Sequence, residues 1–513
     1  MKNTEEIDLI SPAGKRAANG FGSIARQASI RFSGMAFDKL IGYAFALFVA
    51  NYYGTEAFGL YLFGVGIIEV LIAFSRLGME RAELRAVAHV TAEGRLTEVK
   101  GIVRTSIRLT LPVSLVLVAA VFIFIQQVAI LFGKAQIEEF LRFAAPAILI
   151  STLADMFLGA TEGQGDQRFV TLTRFVIEPL IRLSLAIVFN LILQGSAGDR
   201  ALALSYSIAV SASAVMGYWF YRKRIARRAQ GEPTGRYAAD LLKVGLPFCG
   251  ITVLNRLLAR AEIFLLFAFV SAAATAEYTL AQRTALLTMM IALAADAAFR
   301  PTIARAFAKG QYDQAASQFM CVSRSILMVC LPACLLLALF PARVMAVIGE
   351  QFTGAAPAVT LITIGTIANF TFGPVTSALA MAGLTQKNLR NGLIAGAIGL
   401  TLDLTLIPQI GIVGGAIAQS VSMTALAALN AFSAYRATGV IGIGRTHLKL
   451  VVASAVAALA GLVANNVAPQ NRYAAFVIIA TAVFSGYGAT LVLIKPAPED
   501  LQLLKSIFIE HDK

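Results

Sequence analysis

Two arginines one helical turn apart, Arg256 and Arg260, stand inside a long apolar stretch with no acid on the same helical face. Residues four apart share a face of a helix, whereas Glu262, two positions further on, points elsewhere. Two permanent cations side by side suit an anion with several oxygens, because guanidinium groups grip phosphate or carboxylate through paired hydrogen bonds. Arg283 and Lys39 add cations to other apolar stretches and complete the candidate substrate-binding set. The competing use of Arg256 and Arg260 is an ion pair with Asp38 or Glu69. Those two acids, together with Glu262, are also the candidates for binding a coupling ion. Histidine is excluded from that task, since His89, His447 and His511 all fall in polar segments.

Nothing nearby suggests covalent chemistry. The chain has no G-x-x-x-x-G-K-[ST] phosphate loop, no G-x-S-x-G and no H-E-x-x-H, so no catalytic residue, cofactor or metal is expected. Cys249, Cys321, Cys330 and Cys334 show no C-x-x-C spacing and lie in or beside apolar stretches, where packing is the expected role.

The elements that must position these side chains are dictated by composition. Of 513 residues, 58% are hydrophobic and only 14% charged, with a mean hydropathy of +0.74, more apolar surface than one soluble core can absorb. The solvent is therefore mostly lipid, and continuous Ala, Leu, Ile, Val and Gly runs such as 112–125 and 450–464 call for helices rather than the alternating strands of a barrel. At roughly 20 apolar residues per crossing, the chain reads as an all-α polytopic membrane protein of about fourteen spans. They lie near 32–53, 57–77, 105–126, 139–161, 171–193, 200–221, 244–270, 277–299, 323–346, 356–383, 391–407, 412–435, 448–466 and 473–494. The polar first thirty residues have no apolar core of a removable signal, so the first span is expected to direct its own insertion.

Ionisable residues inside such spans cost several kcal/mol against lipid, so they line a cavity, pair, or reach for an interface. They are Asp38, Lys39, Glu69, Arg76, Asp155, Glu178, Arg182, Arg256, Arg260, Glu262, Arg283, Asp296 and Asp403. Arg76, Arg182 and Asp296 are near enough to span ends to snorkel, and the spacing of Glu178 and Arg182 allows an intrahelical pair.

Most of the 43 Lys and Arg sit in the tails and in the loops that follow even-numbered spans, while the opposite loops hold Lys134, Arg142, Arg200, Arg343 and Arg472. By the positive-inside rule both termini are cytoplasmic in a bacterial inner membrane. The same clustering excludes nucleic acid as the reason for the +14 net charge. The heaviest basic loop, beginning Arg222-Lys-Arg, follows Tyr218-Trp219-Phe220-Tyr221, an aromatic belt at an anionic headgroup layer.

The chain also repeats itself at an offset of about 211 to 220 residues: Ala144-Ala145-Pro146 returns as Ala355-Ala356-Pro357, and Gly163 at the close of span 4 as Gly383 at the close of span 10. Lys39 then falls opposite position 258, between the two arginines. The expected organisation is an N-terminal segment (1–31), an N-lobe of six spans (32–221), a basic linker (222–243), a C-lobe of six (244–435), a closing pair (436–494) and a tail (495–513). Two such lobes, related by an axis along the membrane normal, are a transporter's architecture.

At this level the sequence resembles the Wzx-type polysaccharide-transport flippases of the MOP superfamily. The likeness rests on Tyr53-Gly-Thr-Glu-Ala-Phe-Gly-Leu-Tyr61, Arg76-Leu-Gly-Met79, Leu242-Lys-Val-Gly-Leu-Pro247, Glu277-Tyr-Thr-Leu-Ala-Gln-Arg283, Phe299-Arg-Pro-Thr-Ile-Ala-Arg305 and Ile410-Gly-Ile-Val-Gly-Gly-Ala416, in this order and spacing along nearly the whole chain. The resemblance implies a two-lobed bundle with a cationic central cavity. It also implies a polyprenyl-pyrophosphate-linked oligosaccharide as substrate, passed from the cytoplasmic to the periplasmic leaflet for surface polysaccharide assembly. Membrane lipids and the polysaccharide polymerase machinery are the partners it suggests.

The rival readings are a lipid II flippase and a MATE-type exporter of small molecules. Spans 13 and 14 and a basic rather than acidic cavity argue against the exporter. A membrane glycosyltransferase or polymerase needs a sizeable outward loop, and the longest here runs from about 127 to 138.

Overall fold

The computed structural model describes residues 12–193, 198–227, 233, 235, 237–293, 296, 312–372, 375, 376, 379, 383–438 and 446–494. Every regular element among them is helical, as lipid solvation of the backbone requires. The helices are α1 (Pro12–Tyr52), α2 (Thr55–Ser75), α3 (Met79–Ala92), α4 (Leu96–Leu131), α5 (Gln136–Ala144), α6 (Pro146–Gly163), α7 (Glu178–Leu193), α8 (Gly198–Tyr221) and α9 (Ala238–Phe269). They continue as α10 (Ala272–Leu286), α11 (Tyr312–Leu339), α12 (Pro341–Ile348), α13 (Ala356–Phe372), α14 (Thr385–Ile410), α15 (Ile412–Thr438), α16 (Thr446–Asn466) and α17 (Arg472–Ile494). A π-helical stretch, Thr171–Ile177, runs directly into α7.

Twelve described helical segments are long and apolar enough to cross a bilayer. They coincide with the first six and last six expected spans. The other two expected spans fall on α9 and α10, neither of which is among the twelve. In α9 the reason is visible: Arg256, Arg260 and Glu262 interrupt its apolar run. Among the described residues twelve spans are supported, and the count of fourteen rests on α9 and α10. Phe299 to Arg305 lies outside the described residues.

The chain gathers into two units. The first takes residues 1–45 and 67–256, the second 46–66 and 257–513. In the first, α6 is the central helix, packed against α3, α4 and α8. Its close neighbours are small: Gly163 faces Val87 of α3, and Gly217 of α8 faces Leu158 and the Ala154 carbonyl. In the second, α13 and α15 form the centre, with α14 on α15, α11 on α13, and α16 paired with α17. Here Gly365 of α13 lies against the backbone of Ser420 in α15, and Gly59 of α2 against the Ala272 backbone. Glycine permits these approaches, the usual way apolar helices associate where lipid offers no hydrophobic drive. The triplets that open the repeat both start helices, Pro146 at the head of α6 and Ala356 at the head of α13.

Candidate functional site

In the first unit the turn between α2 and α3 is the pivot. Helix α2 ends at Ser75, after which Leu77 and Gly78 both take left-handed backbone angles, φ 51° and 70°. A leucine there is strained, a condition that persists only where its surroundings enforce it. The enforcement comes from α9: a Cβ on Gly78 would collide with the Gly245 carbonyl and the Cys249 amide, and one on Gly245 would stand 2.7 Å from the Leu77 carbonyl. Two of the quoted motifs, Arg76-Leu-Gly-Met and Leu242-Lys-Val-Gly-Leu-Pro, thus meet glycine to glycine. The Cys249 thiol, 3.9 Å from the Ala73 carbonyl, continues the contact.

This seating carries Arg256 to Glu69. Arg256 Nη1 lies 3.6 Å from Glu69 Oε2, with 48% of the arginine side chain exposed against 25% of the glutamate's. The pair is a loose one, beyond hydrogen-bonding distance, and leaves the guanidinium open to another anion. Of the two acids expected to compete for the arginines, Glu69 is the one that meets Arg256.

At Arg76, seven residues on from Glu69, charges are locked together. Arg174, in the π-helical stretch, donates from Nη2 to Asp155 Oδ1 at 2.5 Å and from Nη1 to Glu178 Oε2 at 2.8 Å. Arg76 also forms an ion pair with Asp155, and reaches Glu80 Oε2 at 3.3 Å. Ser151 joins through its carbonyl, 3.2 Å from Arg174 Nη2. The side chains of Arg76, Asp155, Arg174 and Glu178 are only 15–17% exposed. Arg76 is therefore no snorkelling residue. The expected Glu178–Arg182 pair gives way to Glu178–Arg174: within the π-helical stretch Arg174 can meet both Asp155 and Glu178, and Arg182 instead lies over the Phe45 ring, 5.4 Å from its centroid.

In the second unit Glu262 of α9 is the hub. Its Oε2 accepts from Gln282 Nε2 at 2.9 Å and lies 2.7 Å from Tyr278 Oη, both on α10. Gln419 of α15 closes the group, its Oε1 2.9 Å from Tyr278 Oη and 3.0 Å from Gln282 Nε2. Asp403 of α14 is buried and close enough to interact electrostatically with Glu262, and its Oδ1 has no hydrogen-bond partner. A carboxylate with two neutral partners, a phenol and an amide, and a second acid beside it can hold a proton or a small cation.

Arg260 is half-buried one turn after Arg256, and Arg283 is half-buried immediately after Gln282. Lys39 is exposed on α1 with Asp38 half-buried beside it; no ion-pair partner of Lys39 occurs among the described residues. The cysteines are free and buried. Sequence reasoning passed over Arg174, although its i, i+4 spacing to Glu178 was there to be read. Tyr278 and Gln282 are likewise four apart and share a helical face, so their pairing is legible in the spacing. Gln419 carries no local signal, since only the packing of α15 brings it to Tyr278 and Gln282.

Residues 24–307 match a family model described as polysaccharide biosynthesis protein. No curated protein matches the sequence. Among solved structures, the fold is similar to the lipid II flippase MurJ in an inward closed conformation, with a TM-score of 0.72 at 14% identity over 90% of this chain and 98% of that one. It is similar also to an inward-facing multidrug resistance MATE transporter of the MOP superfamily, with a TM-score of 0.65 at 17% identity over 80% and 98%. A MOP superfamily transporter from Pyrococcus furiosus gives 0.53 at 16% over 86% and 99%. At these identities the likeness is one of fold.

Proposed function

Because this chain belongs to the polysaccharide biosynthesis protein family, we propose that it is a flippase for a polyprenyl-pyrophosphate-linked oligosaccharide. It moves the glycan from the cytoplasmic to the periplasmic leaflet of the bacterial inner membrane by alternating access, for exopolysaccharide, capsule or O-antigen. The chain is a multi-pass membrane protein with the fold of MOP-type transporters and flippases. The proposal adds the fourteen-span, two-lobe organisation with both termini cytoplasmic.

The observation that carries the reading is Arg256. An arginine within a membrane helix, half exposed and held by its acid only at 3.6 Å, is a cation available to a ligand. With Arg260 on the same face it presents two guanidinium groups to a pyrophosphate, with Arg283 and Lys39 as further cations. Glu69 would release Arg256 as the phosphate takes its place. Glu262, with Tyr278, Gln282 and Gln419 around it, is the strongest candidate for a coupling ion, ahead of Asp38 and Glu69.

The test is the fate of the lipid-linked glycan in a deletion strain. Accumulation on the cytoplasmic leaflet, cured by the wild-type gene and not by Arg256→Ala/Arg260→Ala inserted at equal level, is the expected result. Normal surface glycan in the double variant would remove the arginines from the binding site. The likeness in fold to a lipid II flippase over 90% of the chain favours a second reading with the same anionic group. Accumulation of a peptidoglycan precursor in place of a polysaccharide unit would select it.

A further inference from the structure

Glu83 lies in the middle of α3, a helix whose other inward residues, Met79, Ala82, Val87 and Val90, are apolar. Its side chain is wholly buried, and among the described residues neither carboxyl oxygen has a hydrogen-bond partner in bonding geometry. The wall opposite is glycine: a Cβ on Gly159 of α6 would stand 3.3 Å from Glu83 Oε1, so a larger residue there would crowd the carboxyl group. From α4 it faces Ser106, buried and also without a bonded partner.

The charged and titratable groups around Glu83 are few. Asp155 acts on it from α6 and Tyr221 from the end of α8, with Arg104 of α4 acting in turn on Tyr221. Arg76 and Arg174 are committed to Asp155, Glu80 and Glu178. On α3 itself, Glu80 is bonded to Arg76, while Arg81 and Arg85 are exposed. Among the described residues, therefore, no cation is paired with Glu83. An ionised carboxylate in such a place costs several kcal/mol more than the neutral acid. Burial accordingly pushes Glu83 up from 4.5 to about 8, the Asp155 charge adding to the rise and the Ser106 hydroxyl opposing it.

We propose that Glu83 is a proton-binding site, holding its proton while α3 is seated on α4 and α6 and releasing it to water when α3 lifts away. In that release the carboxylic O–H bond breaks, its electron pair stays on the oxygen, and a water molecule takes the proton. Between 4.5 and about 8 the seated state binds a proton that the lifted state does not. Raising pH through that window weakens the seat, and the loss is complete above about 8. The site is separate from Glu262 and does not depend on which substrate is carried.

The full chain in liposomes, titrated from about pH 6 to about pH 10 and followed by infrared difference spectroscopy, tests the assignment. Wild type is expected to show a protonated-carboxyl carbonyl band at neutral pH that is lost near pH 8, and Glu83→Gln to lack that component. An unchanged band in Glu83→Gln would mean that Glu83 is ionised at neutral pH, overturning the proposal. Hydrogen exchange over 79–92, corrected for the intrinsic pH dependence, gives the second readout and needs no variant. Protection should fall about tenfold or more across the transition; protection that stays flat across pH 8 overturns the proposal even if Glu83→Gln fails to insert.

Discussion

The most consequential residue for the integrity of the first unit is Asp155. It is the acid shared by Arg76 and Arg174, and removing its charge leaves two largely buried guanidinium groups competing for Glu80 and Glu178. Breaking one partner of a buried ion pair costs about 3–5 kcal/mol. Asp155→Asn is therefore expected to lower the melting temperature of the purified protein in detergent clearly, whereas Arg95→Ala, which breaks an exposed pair with Glu93, leaves it unchanged. Equal melting temperatures for Asp155→Asn and wild type would show the cluster to be energetically idle. At this scale the sequence was read well for the existence of intramembrane charges and poorly for their pairing. Arg256 and Glu69 are both evident as candidates, but their meeting depends on the seat of α9 against α2. Glu83 escaped notice because one acid in a basic amphipathic helix looks like a solvated face; only the depth at which α3 is buried distinguishes it.

Among elements, the α2–α3 turn makes the sharpest prediction. Gly78 and Gly94 both need left-handed backbone, φ 70° and 74°, which costs an L-residue roughly 1–2 kcal/mol. Around Gly94 there is open space, so Gly94→Ala should cost that penalty and no more. Gly78→Ala adds a collision with the α9 backbone, which no rotamer relieves. It should destabilise several-fold more and, by displacing α9, separate Arg256 from Glu69. Thermal unfolding of the two variants side by side, with glycan export as the second readout, checks this; similar losses in both would show that α9 yields easily. The helices themselves were legible from hydropathy alone, since lipid permits little else. Their interruptions were less so. Arg256, Arg260 and Glu262, inside the apolar run of α9, dilute the signal that marks a span, and the π-helical stretch before α7 has no compositional signature.

For the whole molecule, charge asymmetry across the loops is the guide to orientation, and it makes a prediction independent of any side-chain contact. Fluorescent protein fused to either end should mature and glow, and a periplasm-dependent phosphatase fused at Lys134 or Arg472 should be active. Fluorescence from one end alone would require an odd number of crossings and a different orientation. Three of the motifs by which the family could be read sit where backbone is tightly constrained: the Tyr53-Gly54 turn, the Leu77-Gly78 turn, and Gly411 at φ 57° between α14 and α15. If the proposed arginine site holds, the identity of a sugar would have no such anchor, because guanidinium groups would read only the phosphate end of the ligand.

The π-helical stretch Thr171–Ile177 has a consequence for comparing this chain with its relatives. A π turn spends one residue more than an α turn over the same rise, and each residue rotates an α-helix by about 100°. A relative with a regular helix here would be one residue shorter between Gly165 and Glu178. Aligned without that gap, every position of α7 would be assigned to the wrong face, and the arginine matched to Arg174 would be its neighbour. An insertion of a single residue, invisible to a hydropathy plot, thereby sets which side chains of this helix look inward and which meet lipid.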